Sequence, residues 1–298
     1  MQPSVQKLAL CLGQFPFEGD RPHGPRGAAA EVGDILRTMA SCGIDCLDVG
    51  ARPPLLSIIG RTIGGAPGRP QLIMETPRLS RGLSALEADI CGMIDLVGGA
   101  PLEALIVPTV GELFGDEGLS LWRRLLSLRE RGVVRKLGIS VLYSDDPAGV
   151  ARHFRPDIIQ APASLLDQRL ITSGALGRIA SLGVEVHLRP IYLNSALFLP
   201  FHGRSDASPS VQAVSRVRRL IAEGRSDPLQ ATLGFVLSRP EVSRVFVAVQ
   251  SASELRAAVA AARRPPQDID WAALAMADPA SVAQQASGPA RPWAGGVH

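Results

Sequence analysis

Two carboxylates and two arginines in this chain each follow a short apolar run, at positions where they could do chemistry together. Asp48 and Glu75 end the second and third of these runs, and Arg52 and Arg189 follow the second and the seventh. Two carboxyl groups at one site can act as general acid and general base, because their like charges push one pKa upward. A guanidinium group can hold an anionic group through two hydrogen bonds. The four residues are compatible with a lyase or an isomerase that acts on an acidic sugar.

Each of these residues also has a plain structural explanation. Asp48 is explained equally well as a carboxylate that hydrogen-bonds its own loop. For Glu75 the favoured interpretation is a solvated glutamate at the rim, or an ion-pair partner of Arg52 or Arg78. Arginine is abundant in a chain that has only two lysines, so Arg52 and Arg189 are also explained as surface residues.

The chain contains two tyrosines, and both follow apolar runs. Tyr143 comes after the fifth run and Tyr192 after the seventh, so either hydroxyl could serve as a proton donor at a shared site. Packing on a loop is the commoner role for such a tyrosine. His187 alternates with apolar neighbours in the seventh run, which favours a buried core histidine over a catalytic one.

Neither a metal site nor a nucleophilic triad is predicted. Cys42 and Cys46 are separated by three residues, but no second pair of Cys or His stands at ligand spacing. We therefore expect two buried thiols and no metal. No Ser-His-Asp arrangement can be assembled with any specificity.

The apolar runs alternate with longer segments of helical period. Apolar residues recur on one helical face, as in Val32, Ile35 and Met39. Asp227 and Pro228 supply an N-cap and a first-turn proline for another helix. Such alternation is typical of β-α units in a parallel sheet. The predicted strands are Lys7–Leu12, Cys46–Val49, Leu72–Glu75, Ala104–Val107, Leu137–Val141, Ile158–Gln160, Glu185–Leu188 and Val245–Val249.

Eight such units predict an α/β fold, a closed (β/α)₈ TIM barrel, and not an open doubly wound sheet. No G-x-G-x-x-G motif follows the first predicted strand, which argues against a Rossmann fold. We expect one barrel domain over residues 1–270 and a flexible C-terminal extension over 271–298. Pro16–Gly27 and Leu193–Ser210 are predicted to be loops, the first of them at the mouth of the barrel.

Composition excludes several classes of function. The chain has 298 residues and a net charge of +3, and its arginines are interleaved with carboxylates, so no basic stripe for nucleic acid is expected. No apolar run reaches the roughly 18 residues of a membrane span. The first 30 residues lack the apolar core of a signal peptide, and cysteines are few, which favours the cytoplasm. We expect a small-molecule ligand at the barrel mouth, and the sequence identifies no protein partner.

Ordered segments of the chain resemble the aldo/keto reductases. They are GVVRKLGIS at 132–140, IIQ at 158–160, LLDQR at 165–169 and VEVHLR at 184–189, preceded by KLALCLG at 7–13 and GIDCLD at 43–48. The resemblance spans about residues 5 to 262. It is nearest to short bacterial members found with surface-polysaccharide genes.

The resemblance implies a (β/α)₈ barrel whose mouth carries the chemistry. In the family a tyrosine protonates a carbonyl group while NADPH supplies hydride; a lysine and an aspartate lower the pKa of the tyrosine, and a histidine orients the substrate. Asp48 matches the aspartate. No tyrosine occurs in the segment 49–54, Glu75 or Thr76 stands at the lysine position, and Pro108 stands at the histidine position. The resemblance therefore implies a degenerate catalytic tetrad.

The cofactor residues of the family are kept only in part. Ser140 and Gln160 match positions that hold the nicotinamide carboxamide, but Val141 replaces an asparagine. Ser251 matches a serine at the phosphate site, where it could cap a helix N-terminus. Glu254 would repel a 2′-phosphate, and no cation stands at the position where the family has one. These departures argue against NADPH and, less strongly, against NADH.

Three functional interpretations follow, and whether the chain is an enzyme stays open. The first is a binding or partner protein on the reductase scaffold, without the usual carbonyl reduction. The second is an NAD(P)-dependent oxidoreductase with Tyr143 or Tyr192 as a relocated proton donor. The third is the lyase or isomerase that uses Asp48 and Glu75, with Arg52, Arg189 or Tyr192 contacting the substrate.

Overall fold

The computed structural model describes residues 3–13, 15–16, 24–64, 68–77, 82–99, 101–193, 196–198 and 209–280. Eight parallel strands close into one barrel in the order of the chain. All eight predicted strands are present, with ends shifted by up to three residues. The strands are β1 Leu8–Cys11, β2 Cys46–Asp48, β3 Gln71–Glu75, β4 Leu102–Val107, β5 Val134–Ser140, β6 Ile158–Ala161, β7 Glu185–Leu188 and β8 Val242–Ala248.

Helices connect successive strands and cover the outside of the barrel. The helices are α1 Pro3–Gln6, α2 Gly24–Ser41, α3 Pro53–Ile63, α4 Leu83–Leu96, α5 Gly115–Glu130, α6 Pro147–Phe154, α7 Arg169–Thr172, α8 Ala175–Ser181, α9 Pro209–Glu223, α10 Pro228–Leu237 and α11 Ala252–Ala262. Short 3₁₀ turns span Val110–Leu113, Tyr143–Asp145 and Ala272–Leu274. The predicted N-cap of α10 is confirmed, because the Asp227 carboxylate accepts hydrogen bonds from the Leu229 and Gln230 amides. Among the described residues no helix is both long and apolar enough to cross a bilayer.

Side chains alternate along each strand between the outer helices and the barrel interior. The inward set forms a compact core: Ala9, Cys11, Cys46, Ile73, Ala104, Ile106, Ile158 and Phe246. Gly138 of β5 belongs to this interior, since a Cβ there would lie 2.3 Å from the Ile106 side chain. The residues two positions further along each strand therefore point inward at the C-terminal mouth.

The ordered body of the barrel extends past residue 270. The amide of Met276 donates to the Leu166 carbonyl at 3.0 Å, and Gln168 Nε2 donates to the Trp271 carbonyl at 2.6 Å. Leu274 is buried in the main core. Of the predicted extension over 271–298, residues 281–298 lie outside the described residues. Helix α2 begins at Gly24, inside the predicted loop Pro16–Gly27, and most of the other predicted loop, Leu193–Ser210, is not described.

Candidate functional site

Five predicted site residues lie at the C-terminal mouth of the barrel. Each stands two positions after a residue that points into the barrel, so its side chain points inward as well. Asp48 and Glu75 stand two positions after the inward residues of β2 and β3. Ser140 ends β5 and Gln160 is the last but one residue of β6, and the two are paired in register. Arg189 follows β7, two positions after the inward His187, whose ring lies against Phe246. Closure of the sheet therefore brings together residues that are far apart in the chain.

A guanidinium group joined to two carboxylates fills one side of this mouth. Arg189 Nη1 donates to Asp48 Oδ2 at 2.6 Å and to Glu75 Oε1 at 3.0 Å. The exposed fractions are 15% for the Arg189 side chain, 1% for Asp48 and 29% for Glu75. Burial opposes the charge of Arg189, but the neighbouring carboxylates outweigh it and hold its pKa above the ordinary value. We name Asp48, Glu75 and Arg189 the mouth triad.

The remaining oxygen of Asp48 is also engaged. Its Oδ1 atom accepts a hydrogen bond from the Gly50 amide at 3.0 Å. Gly50 has a φ of +62°, and a Cβ there would lie 2.9 Å from the Gly13 Cα atom, so only glycine fits this turn. Nearby, Cys11 is buried, and burial together with the Asp48 charge raises the pKa of its thiol to about 12. That thiol is therefore inert as a nucleophile at neutral pH.

Of the two ion-pair partners considered for Glu75, Arg52 is not the one that it contacts. Arg52 instead donates to the backbone carbonyl of Phe15, and Glu75 pairs with Arg189. Arg78 lies outside the described residues. The sequence could not favour Arg189, because it follows the seventh strand and reaches Glu75 only across the closed barrel.

The structure places both tyrosines outside the mouth triad's hydrogen bonds. The Tyr143 ring lies under the guanidinium of Arg169, 4.8 Å from its Cζ atom. Tyr192 packs edge-on against Phe198, with ring centroids 5.5 Å apart, and its buried hydroxyl has no hydrogen-bond partner. Burial, with a smaller effect of the Glu254 charge, raises the pKa of Tyr192 above its ordinary value. A proton donor for carbonyl reduction requires the opposite shift.

Neither lysine lies at the mouth end of a strand. Lys136 Nζ contacts Glu185 at 2.8 Å and Glu103 at 3.0 Å. It lies four residues before the mouth end of β5, and Lys7 precedes β1 and donates to the Arg239 carbonyl. His187 also lies below the mouth, 3.5 Å from Glu185, and burial lowers its pKa. The expected core histidine is thus buried as predicted, but neither ring nitrogen has a hydrogen bond of good geometry.

Gln160 and Ser140 lie side by side near the mouth ends of β6 and β5. The Gln160 side chain is buried, and its Nε2 atom has no hydrogen-bond partner. Ser140 lies beside it and lines a cavity of about 280 Å³ between the loops that follow β4 and β5. The cavity is lined by Pro108, Thr109, Val110, Gly111, Ser140, Val141, Leu142 and Asp145. Gln160 and Ser140 could together hold a carbonyl or carboxamide group.

The predicted phosphate residue Ser251 caps α11. Its Oγ atom accepts a hydrogen bond from the Glu254 amide at 3.2 Å. Ser251 also lines a polar cleft of about 480 Å³ between α2 and α11, together with Arg37 and Arg256. Arginines of both helices thus line this cleft, because α2 lies beside α11 in the closed barrel.

The fold matches solved structures, whereas the sequence alone matches no protein-family model and no curated protein. One similar structure is aldo-keto reductase AKR11C1 from Bacillus halodurans, in its holo form. The TM-score is 0.69 and the identity 16%, over 95% of this chain and 92% of that chain. This similarity agrees with the strand order and establishes the fold as a (β/α)₈ barrel. Among the described residues no group of three His, Cys, Asp or Glu could hold a metal ion.

Proposed function

We propose that this barrel does not reduce carbonyl compounds and instead binds a small polar molecule at its mouth. The observation that carries the proposal is the mouth triad. Arg189, and not a lysine, is the cation that pairs with Asp48. The same guanidinium is bound to Glu75, and Glu75 or Thr76 stands where the resembled family has its lysine.

Proton donation is the missing step. A positioned proton donor contributes roughly 10² to 10⁴ in rate, and the chain has only two tyrosines that could serve. Tyr143 is stacked under Arg169, and the raised pKa of Tyr192 makes its hydroxyl a weaker acid. These contacts support loss of reduction over a relocated donor.

The unpartnered donor of Gln160 indicates the chemistry of the ligand. A buried amide N–H without a partner is unfavourable, and the oxygen of a ligand that reaches Gln160 from the barrel mouth would satisfy it. Ser140 can donate or accept beside it, and the partly exposed Glu75 can accept from a ligand hydroxyl. A small carbonyl- or amide-containing molecule with hydroxyl groups fits this set.

Two measurements test the proposal. The first is reduction of a panel of aldehydes and ketones with NADPH and NADH, where we expect no turnover above background. The second is a ligand screen by NMR and thermal shift, where Gln160→Leu should weaken any hit by about tenfold and the exposed Gln267→Leu control should not. Robust reduction of the panel, or hits unaffected by Gln160→Leu, would overturn the proposal.

The contacts of the mouth triad also favour a second candidate, the lyase or isomerase. Asp48 and Glu75 both contact one nitrogen of Arg189, so their carboxyl groups converge on one site. Asp48 is fully engaged and buried, which leaves Glu75 as the group that could move a proton. If an acidic sugar is turned over, Glu75→Gln should abolish turnover and retain binding; equal turnover by Glu75→Gln would exclude this function.

A further inference from the structure

The N-terminal end of α11 is already occupied by carboxylates of the chain itself. The amide of Ala252, the first residue of the helix, donates to Glu31 Oε1 at 3.2 Å. The amide of Gln250, just before the cap, donates to Glu254 Oε2 at 2.6 Å. Glu254 is a local residue whose effect on a phosphate can be predicted from the sequence, whereas Glu31 lies 221 positions from Ala252 in the chain.

The closed barrel places Glu31 at this helix. Strands β1 and β8 are neighbours in the sheet, so α2, which follows β1, packs against α11, which follows β8. Glu31 is the residue of α2 that reaches the first turn of α11. The other acidic residue of α2 in this cleft, Asp34, contacts Arg37 instead.

A helix N-terminus binds a phosphate through its free amides and the positive end of the helix dipole. In this chain a carboxylate takes the same place. A phosphate group would have to displace Glu31 from the Ala252 amide and would then lie close to two negative charges, Glu31 and Glu254. The two arginines of the cleft are engaged as well, since Arg37 pairs with Asp34 and Arg256 donates to Thr38 Oγ1 at 3.4 Å. The residues present do not fit the phosphate end of a nicotinamide dinucleotide.

We infer that Glu31 excludes dinucleotide phosphates from this barrel by capping α11 from the neighbouring helix. The inference rests on contacts at α11 and goes beyond the proposed function, which rests on the mouth triad. Glu31 would thus keep phosphate groups away from the N-terminal end of α11. Removal of its carboxylate should free this helix end to bind an anion with the help of Ser251 and Arg256.

The experiment compares the wild-type chain with Glu31→Ala and with the matched control Asp34→Ala. Both changes remove one carboxylate from the same cleft, but only Glu31 contacts the helix amide. Isothermal titration uses inorganic pyrophosphate, NADP⁺ and NAD⁺ as probes, at low and high salt. We expect the wild type and Asp34→Ala to bind each probe no better than millimolar, and Glu31→Ala to bind pyrophosphate and NADP⁺ at least about tenfold more tightly, which corresponds to 1.4 kcal/mol.

Glu31→Gln provides a second variant if Glu31→Ala does not fold, because it keeps the length and one acceptor oxygen while it removes the charge. A smaller gain in pyrophosphate affinity, lost at high salt, is expected for it. Three results would overturn the inference: micromolar binding of NADP⁺ by the wild type, equal affinities of the wild type and the Glu31 variants, or an equal gain in Asp34→Ala. Wild-type binding of NADP⁺ without reduction of the aldehyde panel would overturn this inference and leave the proposed function standing.

Discussion

Replacement of Arg189 by methionine should destabilise the fold through the mouth triad. Methionine has a similar length and no charge, so the change removes the guanidinium and leaves most of the volume filled. Asp48, with an exposed fraction of 1%, would then keep only its hydrogen bond from the Gly50 amide. Glu75, with an exposed fraction of 29%, can be hydrated in the variant.

The size of the destabilisation by Arg189→Met follows from the different burial of Asp48 and Glu75. Removal of one partner from a buried ion pair costs about 3 to 5 kcal/mol, because an uncompensated charge stays in the interior. Only one of the two carboxylates is fully buried, so we expect about 3 kcal/mol for Arg189→Met. The double variant Arg189→Met/Asp48→Asn has no unpaired buried charge at this position and should recover about 2 kcal/mol of that loss.

Urea denaturation followed by tryptophan fluorescence measures these free energies of unfolding. The control is Arg152→Met, a change of the same type at an exposed site on α6, which should stay within about 0.5 kcal/mol of the wild type. A loss below about 1 kcal/mol in Arg189→Met, or no recovery in the double variant, would refute the role assigned to the triad.

Three further changes test other parts of the structure. His187→Gln should flatten the pH dependence of stability. Burial holds the pKa of His187 below 6.5, so on acidification the unfolded wild type takes up a proton before the folded protein does. Urea titrations of the wild type should therefore show stability falling as the pH drops below 6.5, and those of the variant a smaller fall. Gly60→Ala should lower the free energy of unfolding by about 1 to 3 kcal/mol in thermal and urea unfolding, because a Cβ would lie 2.0 Å from a backbone oxygen at the end of α4. The control is Gly92→Ala, on the exposed face of α4, where a Cβ has no atom within 4 Å. It should raise the free energy of unfolding by about 0.5 to 1 kcal/mol. Tyr192→Phe removes a buried hydroxyl that has no partner and should leave the unfolding free energy equal or raise it by up to about 1 kcal/mol.

Each of these has an opposing result. A variant at position 187 with the wild-type pH slope would show that another group takes up the proton. Equal effects of alanine at positions 60 and 92 would contradict the close approach of α3 to α4. A loss of several kcal/mol in Tyr192→Phe would show that its hydroxyl is hydrogen-bonded in solution.

The barrel could be predicted from the sequence because each of its units is local. A buried parallel strand is a short apolar run, and the helix after it carries its own period. Asp48, Glu75, Ser140 and Gln160 stand at the ends of such runs, and the C-terminal ends of parallel barrel strands share one mouth. The lack of a tyrosine in residues 49–54 and the presence of only two lysines were likewise evident from the sequence.

Contacts between distant units could not be predicted in the same way. Arg189 meets Asp48 across 141 positions, and no local pattern distinguishes it from the many other arginines. Glu31 reaches α11 only because β1 and β8 close the sheet. A strand or a helix is determined by neighbours within a few residues, so the sequence by itself determined the eight units and the inward residues at their ends. The pairing of distant charges depended on closure of the barrel, and so did the carboxylate that caps the end of α11. Only the tertiary structure decided these contacts.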